Sequence, residues 1–226
     1  MLCKMNTLSF IIFVSFFYSL LAQTNNTIYV FAYSWTPEFC YGNTYPGCSS
    51  PNDYWKTHFT VHGLWPQYIT SGYPSYCTTE KFNASSIENM VGMETLEQYW
   101  PNVQEDPSSE NYSSFWEHEW AKHGTCSGLI QSDYFEIAIQ LIKVFGTPSE
   151  VMNSVGKSVY ATTIRDSLGG SQYVSLQCNS QTYLSGAYTC WSQINSIPQI
   201  QIECPSDVVN EDTCKTTDIT IVDMMV

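Results

Sequence analysis

The chain has 226 residues, of which 43% are hydrophobic and 15% aromatic, enough for one well-packed domain and short for two. Its formal net charge of −13 argues against a protein that holds long nucleic acids on a basic surface. The charge still allows a nucleic-acid substrate that is held by a few donors in a cleft. It also suits work at acidic pH, where part of the carboxylate charge is neutralised.

The first 22 residues have the pattern of a secretory signal peptide. Lys4 gives a sparse positive start, an apolar run covers residues 8–21, and Ala22 is a small residue at a cleavage position. The alternative is a retained membrane anchor, but no stop-transfer charge flanks the run and no later segment looks able to span a bilayer. We therefore expect residues 23–226 to form one domain, free of the membrane, that is secreted or delivered to the lysosomal or endosomal lumen.

Cysteine usage agrees with export. The chain has nine cysteines, and Cys3 leaves with the signal peptide. An even set in a secreted chain predicts four disulfides, without deciding how they pair. The eight remaining residues are Cys40, Cys48, Cys77, Cys126, Cys178, Cys190, Cys204 and Cys214. Three N-x-[ST] sequences, at Asn25, Asn83 and Asn111, predict N-glycosylation in the same compartment.

The first predicted elements are two β-strands. Residues 28–35 mix β-branched and aromatic side chains with near alternation, which indicates a core strand that ends at a Thr-Pro turn. A loop rich in glycine, asparagine and proline follows over residues 40–48. Residues 55–61 lead into a second strand, and we expect Gly63 to stop it.

One histidine lies at the predicted end of this second strand. Phe59 and Val61 would face one side of the strand and His62 the other, ahead of a glycine that allows close approach. Alone, such a histidine is more often structural than catalytic. Trp65, followed by proline, is a rigid aromatic that suits either the core or a stacking surface. His58 shares the strand face of His62 but lies outside this motif, so we expect a surface or supporting role for it.

The middle of the chain is predicted to be mainly helical. Apolar periodicity and proline stops indicate helices over residues 88–100, 132–145 and 158–168, with a short helical turn after Thr147. From residue 173 the pattern changes to short β-like runs near cysteines, over residues 173–176, 187–191, 199–203 and 219–222. One α+β domain is the simplest account.

The segment of residues 115–126 concentrates the polar chemistry of the chain. As a helix that is capped by Ser113 or Ser114 and ended by Gly124, it places five side chains on one arc, namely Phe115, His118, Glu119, Lys122 and His123. Trp116 and Trp120 fall on another side, where they can pack into a core. The second histidine comes one residue too late for the H-E-x-x-H zinc motif.

Two imidazoles with a carboxylate and an ammonium suit a task other than metal binding, namely moving a proton beside a bound anion. The plain alternative for this segment is a salt-bridged amphipathic helix.

Both segments resemble motifs of the ribonuclease T2 family, which comprises secreted, metal-free and largely base-non-specific ribonucleases. The motif F-T-I-H-G-L-W-P corresponds to residues 59–66, and F-W-x-H-E-W-x-K-H-G-T-C corresponds to residues 115–126. The resemblance covers essentially the whole mature chain. It implies a single α+β domain in which an antiparallel β-sheet packs against several α-helices, with four disulfides.

The resemblance also implies roles for single residues. His62, Glu119 and His123 correspond to the catalytic positions, and His118 and Lys122 to the positions that hold the phosphate. The base-binding positions are Trp65, Gln67 and Tyr73 for the base at the cleaved bond and Phe115 for the next base. Gln67 departs from the acidic residue or asparagine often found after Trp-Pro, which leaves base preference open. The family pattern pairs the cysteines as Cys40–Cys48, Cys77–Cys126, Cys178–Cys214 and Cys190–Cys204.

The implied reaction needs no nucleophile from the protein, because RNA carries its own 2′-hydroxyl beside the phosphodiester. We expect His123 to remove the 2′ proton and His62 to protonate the leaving 5′ oxygen, with the roles reversed when water opens the 2′,3′-cyclic phosphate. We expect Glu119 to raise the pKa of a neighbouring imidazole through its negative charge. The prediction is a monomeric endoribonuclease without metal or cofactor that cuts single-stranded RNA, spares DNA and has little base specificity.

Two other hypotheses remain open at this point. A secreted protein can keep this fold and act by binding or signalling without catalysis, although all the polar groups of both motifs are present. A secreted zinc enzyme would use the four histidines, His58, His62, His118 and His123. Loss of activity in a chelator, restored by zinc, would favour the zinc enzyme.

Overall fold

The computed structural model describes residues 26–224, which form one seven-stranded β-sheet with helices packed against it. The strands, β1 to β7, are Thr27–Ser34, Thr60–Tyr68, Lys157–Tyr160, Val174–Asn179, Tyr183–Ile194, Ile197–Ile202 and Asp218–Ile221. The α-helices within the described range, α1 to α9, are Thr36–Phe39, Pro46–Ser49, Ala84–Val91, Met93–Tyr99, Ser114–Lys122, Gln131–Phe145, Ser149–Met152, Ala161–Ser167 and Ser206–Asn210. The predicted signal peptide and the glycosylation site at Asn25 lie outside the described residues. Of the helices in residues 26–224, none is long and apolar enough to cross a bilayer.

The sheet is organised around its longest strand, β5. One edge of β5 pairs with β1 and, through the single pair Tyr183–Thr220, with β7, while the other edge pairs with β4 and β6. Strand β2 lies outside β1, and β3 lies outside β7. All pairings are antiparallel except the short β5–β7 contact. The predicted α+β fold is therefore confirmed, with a sheet that is mixed at this one contact.

The main core is rich in aromatic side chains and joins the sheet to the central helices. Five tryptophans in it are at most 1% exposed, namely Trp35, Trp100, Trp116, Trp120 and Trp191. Full burial of one large apolar side chain stabilises the fold by about 1.5–3 kcal/mol. The hydroxyl of Tyr134 in α6 also donates to the carbonyl of Leu64 in β2 at 2.8 Å. This packing holds β2 and α5, the two elements that carry the sequence motifs, in one rigid arrangement.

The four predicted disulfides are present with the pairing that the family resemblance implies, Cys40–Cys48, Cys77–Cys126, Cys178–Cys214 and Cys190–Cys204. The second of these joins the segment before α3 to the residues that follow α5. In the same place, the backbone N–H of Tyr76 donates to the carbonyl of Lys122 at 3.0 Å. The end of α5 is thus held both covalently and by a backbone hydrogen bond.

Glycines act differently from the sequence-based expectation at three places. Gly63 lies inside β2 instead of stopping it. Gly92 divides the predicted helix of residues 88–100 into α3 and α4, because it adopts a φ of 91° that other residues rarely take. Helix α5 ends at Lys122, and Gly124 begins a short 3₁₀ turn instead of a left-handed cap. Glycine is needed there because a Cβ would overlap the ring of Trp120.

Two further boundaries differ from prediction. Ser113, at the N-cap of α5, makes no side-chain capping hydrogen bond, and the hydroxyl of Ser114 accepts a hydrogen bond from Asn102 instead, so the predicted cap is wrong. The predicted helix of residues 158–168 begins as strand β3, because these residues pair with β7, and becomes helical only at Ala161.

Candidate active site

A β-bulge places His62 in the candidate site. In the β1–β2 ladder, Ala32 pairs with Gly63 and Tyr33 pairs with Val61, so His62 is the extra residue without a partner. A bulge of this kind bends the strand and changes where the side chain points. The hydroxyl of Ser34 lies 3.2 Å from Nδ1 of His62 and holds the ring in this position.

The bulge also explains how β2 continues through the motif. Phe59, Val61 and Leu64 all pack into the main core, although strict alternation would turn Leu64 away from the other two. The extra residue shifts the alternation by one, so that His62 and Trp65 both face the candidate site. A strand ending at Gly63, as predicted from the sequence, would not have brought Trp65 beside His62.

Helix α5 presents the remaining polar side chains. Trp116 and Trp120 are buried in the core, as the helical periodicity predicts, and they fix the rotation of the helix. Glu119 and Lys122 then point to the same side as His118. His123 follows the last helical residue, and its backbone N–H still donates to the carbonyl of Glu119 at 3.0 Å.

A hydrogen bond between the two motifs closes the floor of the site. The indole Nε1–H of Trp65 donates to Oε2 of Glu119 at 2.7 Å, and Oε1 of Glu119 lies 3.9 Å from Nε2 of His62. Gly63 runs directly beneath this contact, and a Cβ at that position would overlap both Trp65 and Glu119. The close approach that the sequence suggested for this glycine therefore serves the contact between β2 and α5.

These residues line one cavity of about 240 Å³, whose walls are Val30, His62, Trp65, Gln67, Tyr73, His118, Glu119, Lys122, His123, Val208 and Glu211. Both imidazoles lie against Trp65. The ring of His123 stacks on it at 5.0 Å and 24°, and the ring of His62 meets it edge-on at 5.4 Å. Lys122 Nζ lies 5.9 Å from the ring centre of Tyr73 across the mouth. Two imidazoles from separate elements thus share one cavity with an ammonium and a carboxyl group.

The pKa values of both histidines are low. Burial, followed by the charges of Lys122 and His118, lowers the pKa of His123 to about 3. Its Nδ1 is buried without a hydrogen-bond partner among the described residues, so a second ring proton would have no acceptor. Burial, followed by His118 and Lys122, lowers the pKa of His62 to about 4. Since 43% of the His62 side chain remains exposed, water moderates this lowering of its pKa.

The expectation that Glu119 raises the pKa of a neighbouring imidazole is wrong. Glu119 is only 2% exposed, and burial raises its own pKa to about 7, against smaller lowering effects from Trp65 and Lys122. At acidic pH the carboxyl group is therefore mostly protonated and has little negative charge to offer. The imidazoles respond instead to burial and to the nearby positive charges.

The loop that follows β2 is attached to the C-terminal helix α9. Gln67 is 6% exposed, and its Nε2 donates to Oδ2 of Asp207 at 3.0 Å. The same oxygen accepts the backbone N–H of Gly72 at 2.7 Å, next to Tyr73. Sequence reasoning missed Asp207 and Glu211, which reach the site from about 140 residues further along the chain without a recognisable motif. Of the predicted base-binding residues here, Gln67 uses one amide N–H in this attachment, while Tyr73 is exposed at the cavity mouth.

A second, larger cavity opens on the other side of His62. Its volume is about 510 Å³, and Phe115 lies in its wall with its ring 5.5 Å from that of His62. Of the five residues predicted to share one arc of α5, Phe115 alone faces this cavity, while the other four face the smaller one. His62 is the residue common to both cavities.

The four histidines do not gather into one cluster. His58 stacks on Tyr54 at 4.3 Å, and its Nδ1 contacts the Thr57 hydroxyl and the Tyr54 carbonyl, outside both cavities. Within residues 26–224, no group of three or more histidine, cysteine, aspartate or glutamate side chains has the arrangement of a metal site. The site around His62 and His123 instead combines two imidazoles with the ammonium group of Lys122 and the carboxyl group of Glu119.

Comparison with known proteins agrees with this geometry. The Ribonuclease T2 family model matches residues 26–204. Ribonuclease 1 of Arabidopsis thaliana is 33% identical over 191 residues, which cover 78% of this chain and 79% of that protein. Intracellular ribonuclease LX of Solanum lycopersicum is 28% identical over 196 residues, with coverage of 78% and 76%. Among solved structures, the fold is similar to that of RNase MC1 from bitter gourd seeds. A mutant of that protein in complex with 5′-GMP matches with a TM-score of 0.65 and 25% identity, over 86% of this chain and 100% of that chain. The chain therefore belongs to the ribonuclease T2 family and is an RNA-cleaving enzyme of that type.

Proposed function

We propose that the enzyme cleaves single-stranded RNA by transesterification, in which the 2′-hydroxyl attacks the neighbouring phosphorus and gives a 2′,3′-cyclic phosphate. Water then opens the cyclic phosphate to a 3′-phosphate. The observation that carries this proposal is the placement of His62 and His123, which come from separate elements and line one cavity beside Lys122. One imidazole must accept the proton of the 2′-hydroxyl and the other must donate a proton to the leaving 5′ oxygen. The proposed chemistry therefore needs two imidazoles beside the same phosphate.

In the first step His123 is the base and His62 is the acid. Both pKa values are lowered, but His123 is 4% exposed and its Nδ1 lacks a hydrogen-bond partner among the described residues, whereas 43% of the His62 side chain is open to water, which stabilises a proton there. When the pair holds a single proton, that proton therefore resides mainly on His62, which is the productive form. The negative charge of a bound phosphodiester raises both values and extends this form to higher pH. Activity should consequently peak at acidic pH, below the ordinary histidine pKa of about 6.5.

The remaining polar groups stabilise the charge that gathers on the phosphoryl oxygens. Lys122 and His118 line the cavity as cationic donors. Glu119, protonated at acidic pH because its pKa is about 7, acts as a hydrogen-bond donor in the same cavity. The reaction as proposed draws only on these side chains and uses no metal ion or organic cofactor.

The two cavities accommodate the bases on either side of the cleaved bond. Trp65 and Tyr73 offer ring faces to the base whose ribose carries the attacking hydroxyl, and Phe115 offers one to the base that follows. Every base has a flat π-face that can stack on an aromatic ring. Stacking therefore supports low specificity for the base whose ribose carries the attacking hydroxyl. Gln67 shapes the first cavity through its bond to Asp207, which uses one of its two amide N–H donors.

Export and modification are proposed on sequence grounds. Residues 1–22 act as a signal peptide, and the mature chain is secreted or reaches the lysosomal or endosomal lumen as a monomer. Asn83 and Asn111 are both exposed, which supports their glycosylation, and Asn25 is proposed from its sequence alone. DNA should resist cleavage, because it lacks the 2′-hydroxyl.

The test is to incubate the purified protein with RNA and with DNA at pH 5 in EDTA, beside the variants His123→Ala and His58→Ala. We expect RNA alone to be cut, with 2′,3′-cyclic ends appearing first. His123→Ala should lose about 10²–10⁴-fold in rate, the usual contribution of a positioned acid–base group. His58→Ala is the matched control and should retain activity, since His58 lies outside both cavities. Cleavage of DNA, dependence on an added metal, or full activity of His123→Ala would refute the mechanism.

A further inference from the structure

We propose that Glu38 makes the larger cavity selective for guanine as the base that follows the cleaved bond. The proposal rests on the function proposed above, because it takes His62 as the boundary between the two base positions. It concerns Glu38 at the third position of α1, a residue outside both sequence motifs.

The larger cavity has the chemistry of a base site and lacks that of a phosphate site. Its volume of about 510 Å³ lies within the usual range of roughly 300–1,000 Å³ for small-molecule pockets. Phe115 supplies an aromatic wall, and no lysine or arginine is found among the described residues that line the cavity. A second phosphate would meet the carboxylate of Glu38 there, with only His62, at the boundary of the cavity, to offset its charge. A neutral base carrying N–H groups is the better occupant.

Two amides in the wall have their N–H groups already occupied. Nε2 of Gln177 donates to the hydroxyl of Ser175 at 3.0 Å and to the carbonyl of Glu211 at 3.2 Å. Nδ2 of Asn102 donates to the carbonyl of Tyr112 at 3.0 Å and to the hydroxyl of Ser114 at 3.2 Å. These two residues therefore have their carbonyl oxygens, which are acceptors, left for a ligand.

Glu38 adds the strongest acceptor. Its Oε1 accepts a hydrogen bond from Nδ2 of Asn179 at 2.6 Å, which orients the carboxylate, and no other side chain in residues 26–224 bonds to it. The residue is half-buried, and burial raises its pKa against the lowering effect of the Asn179 hydrogen bond. A partly desolvated carboxylate, with Oε2 free and a second lone pair left on Oε1, gains most from a ligand that brings N–H donors.

Guanine matches this set of acceptors best among the four bases. Its N1–H and N2–H₂ groups are adjacent and can donate together to one carboxylate. Adenine and cytosine each offer one amino group, whereas uracil offers a single N–H between two carbonyl oxygens that Glu38 would repel. The expected order at the position after the cleaved bond is guanine first, then adenine and cytosine, then uracil.

The experiment measures kcat/KM at pH 6 for four dinucleoside phosphates, CpG, CpA, CpC and CpU, which differ only in the base after the bond. A bidentate base contact usually discriminates by about tenfold or more, and the wild-type ratio of CpG to CpU should be about tenfold. Glu38→Gln should reduce this ratio to about twofold or less, because the amide replaces one acceptor with a donor. The matched control is Glu150→Gln, an exposed carboxylate on α7 outside both cavities, which should keep the wild-type ratio.

Hydrolysis of 2′,3′-cyclic CMP serves as the internal reference, because this substrate has no base after the bond. The rate of each enzyme on this substrate is the reference to which its four dinucleotide values are normalised, and Glu150→Gln should hydrolyse it at the wild-type rate. If that variant fails to fold, Asn179→Ala replaces it, since Asn179 is exposed and its loss frees the carboxylate to turn away, which should also lower the CpG to CpU ratio.

The outcomes separate this inference from the function on which it rests. Absence of cleavage of every substrate by the wild-type enzyme would overturn the proposed function itself. Cleavage with equal rates for CpG and CpU, or with the same ratio in wild type and Glu38→Gln, would overturn only the guanine selectivity. A CpG preference that both Glu38→Gln and Asn179→Ala diminish would support it.

Discussion

The buried carboxyl group of Glu119 should make the folded state less stable as the pH rises. Its pKa is about 7 in the folded protein and close to 4.5 when the chain is unfolded, so the folded state binds the proton more tightly. A carboxyl group with a raised pKa imposes no penalty below pH 4.5, where both states are protonated. The penalty grows between pH 4.5 and 7 and is complete above pH 7. At 1.36 kcal/mol for each pKa unit, its full size is about 3 kcal/mol.

The variant Glu119→Gln removes this ionisation and can still accept the hydrogen bond from Trp65. Relative to the wild type, it should therefore gain about 3 kcal/mol in the free energy of unfolding between pH 4 and pH 8. The lowered pKa values of the two histidines act in the opposite direction, since they stabilise the fold as the pH rises to about 6.5. That contribution is largely common to both proteins and cancels in the comparison.

The assay is equilibrium unfolding in guanidinium chloride with the disulfides intact, followed by tryptophan fluorescence at pH 4 and at pH 8. Glu117→Gln is the matched control, because Glu117 lies two positions earlier on the same helix and is exposed. Its stability relative to the wild type should not change with pH. If the free energy of unfolding of Glu119→Gln differs from that of the wild type by the same amount at pH 4 and at pH 8, burial does not hold the carboxyl group protonated. That result would refute the reasoning.

Three further predictions follow from the same structure. Lys122→Ala should raise the pKa of His123, because the Lys122 ammonium is one cause of its lowered value. The acidic limb of the kcat/KM profile should therefore move to higher pH, and an unchanged limb would contradict the role of His123 as base. Gly63→Ala should lower the free energy of unfolding in urea by about 1–3 kcal/mol and slow RNA cleavage, because the added Cβ overlaps Trp65 and Glu119 where they contact each other. Wild-type stability and activity in this variant would contradict the close approach of Gly63 to that contact. Replacing both Cys77 and Cys126 by alanine removes a disulfide that spans 49 residues and should lower the free energy of unfolding by about 4 kcal/mol. The measurement is urea unfolding with and without reductant, and an unchanged urea midpoint would rule out this stabilising role.

Helix α5 shows how much can be predicted when the signal is local. Helical periodicity is set by the backbone of one segment, so the positions of Trp116 and Trp120 in the core followed from their spacing alone. The same spacing placed Glu119, Lys122 and His123 on one side. The N-cap of this helix and the role of Gly124 were predicted wrongly, because both depend on contacts with side chains from the rest of the fold.

Strand β2 shows where local patterns are insufficient. The bulge at His62 arises from how β2 pairs with β1, and a single strand has no register until its partner is known. The contacts of Ser34 with His62 and of Asp207 with Gln67 likewise join residues that are distant in sequence. Sequence reasoning therefore identified His62 but missed the residues that position it and its surroundings.

The sequence by itself determined which ionisable groups the enzyme has, the α+β class of its fold and, through two recognisable motifs, the family to which it belongs. Only the tertiary structure decided the electrostatic state of those groups, since a pKa depends on burial and on charges that arrive from other segments. Glu119 illustrates the difference. Its sequence neighbours suggested an anion that supports an imidazole, whereas its burial beside Trp65 raises its pKa, so that the carboxyl group is mostly protonated at acidic pH.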